Sequence, residues 1–124
     1  MDTPPLIFVV DDDELIHKLI RSILNKLSLH NIYHLYSGEE CISHLHKSPD
    51  LILLDFEMRG INGLETLDKI KSNNPSVPVY MISSQKEINT AIKAIQKGAE
   101  DYFTKDCNLS KNLEKVVSSS KLSA

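Results

Sequence analysis

Residues 51–63 read LILLDFEMRGING. Four strongly apolar residues stop at a carboxylate, Asp55, and a loop with two glycines follows. A run this short suits a strand buried on both faces, as in a parallel sheet, although a piece of buried helix has the same apolarity. Taken alone, Asp55 has an ordinary explanation: it ends the strand and caps the next element. Whether it does more depends on what the rest of the chain delivers to the same place.

Outward from this stretch, short apolar runs alternate with helical patterns. Residues 6–10 form a first strand, and after Asp13 as a possible N-cap, Leu15, Ile16, Leu19, Ile20, Ile23, Leu24 and Leu27 recur at helical spacing. Residues 32–36 form a second strand, and Ser37 with Glu40 makes a capping box that opens a helix through Cys41, Ile42 and Leu45. The third strand, 51–54, is followed by the loop between Gly60 and Gly63 and a helix carrying Leu64, Leu67 and Ile70. Pro75 and Pro78 punctuate the next connection. Residues 79–82 make a fourth strand, and Ile88, Ala91, Ile92 and Ile95 give a fourth helix that ends at Gly98. A short fifth strand, 102–104, precedes a last helix marked by Leu109, Leu113, Val116 and Val117, after which the tail 118–124 frays. Five strands alternating with five helices predict an α/β fold, a parallel sheet covered on both faces. With 124 residues and no repeat or linker, one domain over 1–124 is expected.

Composition narrows the function. The formal net charge is -3, and no Lys/Arg stripe suggests a nucleic-acid surface. No apolar run approaches the length needed to span a bilayer, and the N-terminus, MDTPPLIF, does not read as a signal peptide, so the cytoplasm is the expected compartment. Cys41 and Cys107 lack CxxC spacing and read as reduced thiols. His17, His30, His34, His44 and His46 show no metal-ligand spacing and read as surface or structural histidines.

In a doubly wound sheet the ligand site lies beyond the carboxyl ends of the strands, where strand order reverses. The residues just past each strand are Asp11, Asp12, Asp13 and Glu14 after the first, Asp55 after the third, Ser83 and Ser84 after the fourth, and Lys105 after the fifth. Each has a bland reading alone; acids favour a helix N-terminus, serine caps, and lysine is usually solvated. Together they describe a chemistry. Carboxylates packed at one edge repel by roughly 1 to 4 kcal/mol per close pair, and a hard divalent cation relieves that. Oxygen ligands favour Mg²⁺, which uses one or two carboxylates plus phosphate oxygens. Phosphoryl transfer then needs an in-line nucleophile, a metal and positive charge on the equatorial oxygens, roles open to Asp55, to Asp11 with Asp12, and to Lys105 with Ser83.

FVVDDDE at 8–14, LILLDFEM at 51–58, VYMISS at 79–84 and GAEDYFTK at 98–105 resemble the receiver domain of bacterial two-component response regulators, in order and along the whole chain. The resemblance implies a flavodoxin-like five-stranded fold of order 2-1-3-4-5. It implies that Asp55 accepts a phosphoryl group from a histidine kinase or histidine phosphotransfer protein. Asp11 and Asp12 would bind Mg²⁺ with Asp55 and the main-chain carbonyl of Glu57. Ser83 would be the switch hydroxyl, Tyr102 the switch aromatic and Lys105 the phosphate-contacting lysine, while Glu57 and Gln85 hold positions that tune hydrolysis. With no effector motif after the last helix, the expected output is a downstream partner or an output domain outside this sequence. A haloacid dehalogenase-like phosphatase would want a second aspartate two residues after the nucleophile, where this chain has Glu57. A flavodoxin-like module would be coloured by its flavin, and a pseudo-receiver interaction module would usually lack one of the acids or the lysine.

Two positions depart from the family pattern. Arg59 stands where a proline commonly follows Met58, and Asp106 where one commonly follows Lys105. Because a cis bond before a non-proline residue costs roughly 2.5 to 4 kcal/mol, Lys105-Asp106 is expected to be trans, with the Lys105 amine still reaching toward Asp55.

Overall fold

A computed structural model describes residues 3–84 and 87–119. In chain order the elements are β1 (Ile7–Val10), α1 (Glu14–Lys26), β2 (Ile32–Leu35), α2 (Gly38–Ser43), a 3₁₀ turn (Leu45–Lys47), β3 (Leu51–Leu54), α3 (Gly63–Asn73), β4 (Val79–Ser83), α4 (Ile88–Gln96), β5 (Asp101–Thr104) and α5 (Leu109–Ser119). All strand pairs are parallel, in the order β2-β1-β3-β4-β5. Strand order reverses between β1 and β3, which creates the crevice at which such sheets bind ligands.

The sheet separates two apolar layers. Phe8, Val10, Ile52, Leu54 and Met81 face a core completed by Cys41 of α2, Leu67 and Ile70 of α3 and Ala94 of α4. Ile7, Val9, Leu51, Leu53 and Ile82 point the other way, onto Ile20 and Leu24 of α1 and Leu109, Leu113, Val116 and Val117 of α5. Every residue of β1 and β3 is buried, as central strands covered on both faces must be, whereas the edge strands β2 and β5 are largely half-buried.

Several boundaries move from the sequence reading. The second strand stops at Leu35 rather than at residue 36, the fourth extends to Ser83, and the fifth begins at Asp101. Helix α2 is short and breaks into the 3₁₀ turn that carries Leu45. Ser37 caps α2 as expected, its Oγ accepting the Glu40 N–H at 3.0 Å, but the Glu40 carboxylate accepts from the Tyr36 N–H at 3.3 Å instead of closing the box on Ser37. A complete capping box lies at α3, where Asn62 and Glu65 bond each other's main-chain N–H groups at 2.9 and 3.0 Å. Gly98 ends α4 at φ +108°, the left-handed region that glycine enters freely. Residues 120–124 of the tail and Gln85 lie outside the described residues.

Helix α4 corrects the pattern more substantially. Its buried residues are Thr90 and Ala94, while Ile88, Ile92 and Ile95 are 73, 47 and 48 % exposed. Both sets recur at helical spacing, and small inward side chains let the helix sit close to the sheet with its isoleucines turned outward. The capping box at α3 is independent of that arrangement. Asn62→Ala should lower stability by about 1 kcal/mol, measured by urea unfolding; a change within experimental error would show that the cap is not holding α3.

Candidate functional site

Register brings the acids together. Val10 of β1 pairs with Leu54 of β3, so the next residues, Asp11 and Asp55, leave adjacent strand ends side by side. Both carboxylates are buried, Asp12 beside them is half-buried, and one oxygen from each of the three lies within 4.8 Å of the others. Lys105 emerges from β5, two strand spacings or about 10 Å from β3. Its N–H is held by the Ser83 carbonyl at 2.8 Å, and its side chain crosses the end of β4 to reach Asp11 Oδ2 at 2.7 Å and Asp55 Oδ1 at 3.1 Å.

Asp11 is fixed on every side. Its N–H donates to Leu35 O at 3.1 Å, its Oδ1 accepts from the Asp13 N–H at 2.9 Å, its Oδ2 takes Lys105, and its carbonyl accepts from His17 Nε2 at 2.7 Å. Asp13 caps α1 by accepting the Leu15 N–H at 3.0 Å. Gly63 permits the return of the chain after β3, because a Cβ there would collide with the main-chain oxygen of Asp55 and with Phe56 Cα. Ser83 is fully buried at the end of β4, Glu57 is exposed in the β3–α3 loop, and Tyr102 is half-buried opposite Met81 in the sheet register.

Among the described residues, three carboxylates face the Lys105 ammonium, and the imbalance is felt. Burial first, then the Asp11 charge, pushes the Asp55 carboxyl up to about 6, although Lys105 opposes the shift. At Lys105 burial works against the ammonium, but the hydrogen bond to Asp11 and the charges of Asp55 and Asp11 outweigh it, so that its pKa rises. Such an all-oxygen cluster with excess negative charge fits a hard divalent cation, and Mg²⁺ in particular. Among the described residues it is the one such group of three or more potential ligands, and no histidine belongs to it. Cys41 is buried and Cys107 exposed, both as free thiols.

The two departures from the family pattern each acquire partners. Arg59 has the N–H that proline lacks, and donates it to Asp12 Oδ2 at 3.3 Å; its guanidinium lies 4.0 Å from the same oxygen but is 94 % exposed. Lys105-Asp106 is trans, and the Asp106 carboxylate accepts from Thr104 Oγ1 at 2.6 Å and the Asn108 N–H at 2.9 Å. None of these bonds was visible in the spacing of residues, nor was the His17 contact with the Asp11 carbonyl.

The model of the response regulator receiver domain matches residues 7–117. Among curated proteins, the luminescence regulatory protein LuxO of Vibrio campbellii is 33% identical over 100 residues, covering 80% of this chain and 22% of that protein. The transcriptional regulatory protein ZraR of Salmonella typhimurium is 31% identical over 115 residues, covering 90% and 26%. The chain thus spans about a quarter of the length of these relatives. Among solved structures, the receiver domain of NtrX from Brucella abortus superposes with a TM-score of 0.83 at 31% identity, covering 95% of this chain and 99% of that one. The BeF3-activated DrrB receiver domain gives 0.86 at 25%, covering 96% and 98%.

The crowding at Asp55 has a measurable cost. Because its pKa is higher folded than unfolded, the ionised carboxylate destabilises the fold; the penalty is absent below about pH 4, grows as pH rises, and is complete above about pH 6. Asp55→Asn should therefore stabilise the metal-free protein by about 1–3 kcal/mol at pH 7.5 and by little at pH 4. Urea unfolding at the two pH values measures this, and a variant no more stable than wild type at pH 7.5 would contradict it.

Proposed function

Since the chain belongs to the response regulator receiver domains, we propose that it is a phosphoacceptor switch in which Asp55 takes a phosphoryl group and changes a partner-binding face. The observation that carries this reading is the meeting of Asp11, Asp12, Asp55 and Lys105 at one sheet edge, from positions far apart in the chain. The donor is a phosphohistidine of a kinase or a histidine phosphotransfer protein. A carboxylate oxygen of Asp55 forms the new O–P bond as the donor P–N bond breaks, and the imidazole keeps the electron pair. Asp11, Asp12, Asp55 and the main-chain carbonyl of Glu57 hold Mg²⁺, which when bound supplies positive charge to the phosphoryl oxygens. Lys105, already beside Asp55, contributes a second positive charge.

The chemistry is confined to this chain's own phosphorylation and dephosphorylation; the product is a signal. Ser83, buried at the end of β4, bonds the new phosphoryl oxygens, and Tyr102 on the neighbouring strand turns inward. The outward Ile88, Ile92 and Ile95 of α4 lie on the face where such a change is read by a downstream protein or an output domain. We read the chain as one receiver unit acting in the cytoplasm, without direct nucleic-acid contact or membrane insertion. Among the described residues no helix is long and apolar enough to cross a membrane.

Two experiments test the reading. Acetyl phosphate with Mg²⁺ should add one phosphoryl group, observed by intact mass, and either EDTA or Asp55→Asn should abolish it; labelling that survives in the variant would remove Asp55 from its role. Beryllofluoride with Mg²⁺ should shift amide resonances of α4 and β5, and Ser83→Ala should suppress the remote shifts. Changes confined to Asp11, Asp12 and Asp55 would count against a switch through Ser83 and Tyr102.

A further inference from the structure

We propose that His17 is a positioning residue for the metal-binding turn, holding the main chain at Asp11 through its Nε2–H while His34 and Tyr36 hold the imidazole. The inference rests on the reading of Asp11 and Asp12 as Mg²⁺ ligands, and adds a residue from α1 that touches neither metal nor phosphate.

His17 is 1 % exposed, on the face of α1 that also buries Ile20 and Leu24. A polar ring in an apolar layer is costly unless its nitrogens are bonded. Both are. Nε2 lies 2.7 Å from the Asp11 carbonyl and Nδ1 lies 2.7 Å from Nδ1 of His34 on β2. The carbonyl can only accept, so Nε2 carries the proton. Nδ1 shares its hydrogen bond with Nδ1 of His34, whichever of the two rings donates. Tyr36 lies against the His17 ring, tilted 35° to it with centroids 4.2 Å apart, and its hydroxyl donates to Glu14 Oε1 at 2.8 Å. The end of β2 and the first turn of α1 are thereby tied around the imidazole, which fixes its orientation.

The direction of the constraint follows from what Asp11 offers. Its side chain is taken by Asp13 and Lys105 and its N–H by Leu35, so the His17 bond completes the restraint of the peptide leading to Asp12. Removing the donor strips the buried carbonyl of this partner and loosens the turn that carries two of the three carboxylates. Outer partners of metal ligands commonly change metal affinity by about 10–100-fold when removed.

Mg²⁺ affinity of the intact chain, read from amide shifts during titration with MgCl₂, tests the role. His17→Met should weaken binding about tenfold. His17→Gln, whose side-chain amide can donate to the same carbonyl and accept from His34, should stay within about threefold of wild type. His34→Phe, which leaves the Nε2 donor in place but frees the ring, should fall between them, and carries the test together with His17→Gln if His17→Met does not fold. Equal weakening in His17→Met and His17→Gln at matched urea stability would mean that His17 only fills space. Unchanged affinity in His17→Met, or in His34→Phe where that variant carries the test, would likewise overturn the proposal while leaving the metal site intact. A wild-type chain showing no Mg²⁺-dependent shift at Asp11, Asp12 and Asp55 would overturn the metal reading itself, and this inference with it.

Discussion

The arrangement turns on two carboxylates that the sheet register forces side by side. Parallel pairing of Val10 with Leu54 leaves no freedom about where Asp11 and Asp55 emerge, and burial denies them the water that would screen their repulsion. Lys105 answers part of that charge from β5, across the end of β4. Burial first, and then the Asp11 charge, raise the Asp55 carboxyl even with that ammonium beside it. Stability is surrendered at this edge and recovered in the two apolar layers below it. A polar site on a rigid sheet thus stays crowded even though Lys105 closes ion pairs with both Asp11 and Asp55.

What the sequence made legible follows from this division. Central strands buried on both faces are continuous apolar runs, so β1 and β3 were readable nearly to the residue, and parallel topology sends all their carboxyl ends one way. That is why Asp11, Asp12, Asp55, Ser83 and Lys105 could be grouped before any coordinate was known. Helix α4 was less legible because periodicity finds a stripe without saying which stripe meets the sheet; Thr90 and Ala94 won through size, not hydrophobicity. The Asn62-Glu65 box carried the same spacing signal as Ser37-Glu40 and turned out the more complete of the two. His17 had no signal at all. A histidine six residues after an aspartate meets its carbonyl only because the β1–α1 turn doubles the chain back.

The outward isoleucines of α4 bear on how a charge event at Asp55 could reach a partner. A helix held by small side chains sacrifices less packing when it shifts than one anchored by interdigitated leucines and isoleucines. Tyr102 sits at the same margin, lining a shallow cavity with Ile92 and Ile95. Movement there exchanges exposed apolar surface for partner contact, whereas movement of α1 or α5 would open the layer containing Leu24 and Leu113. Of the helices nearest the site, α4 is therefore the least expensive to displace.

The two missing family prolines bear on the same balance. Proline stiffens a loop by removing torsional freedom and also removes a donor. At Arg59 the exchange is visible: a freer φ, but an N–H aimed at Asp12, while Glu39 accepts the Ile61 N–H two residues later at 3.2 Å. The β3–α3 loop is tied by hydrogen bonds to carboxylates of two other segments, and one of these carboxylates belongs to the proposed metal site. A proline at position 59 would have no donor to offer Asp12. At Asp106 the carboxylate accepts from Thr104 Oγ1 and from the Asn108 N–H, bonds that a proline side chain could not make. Each replacement thus supplies hydrogen bonds that a proline at the same position could not make.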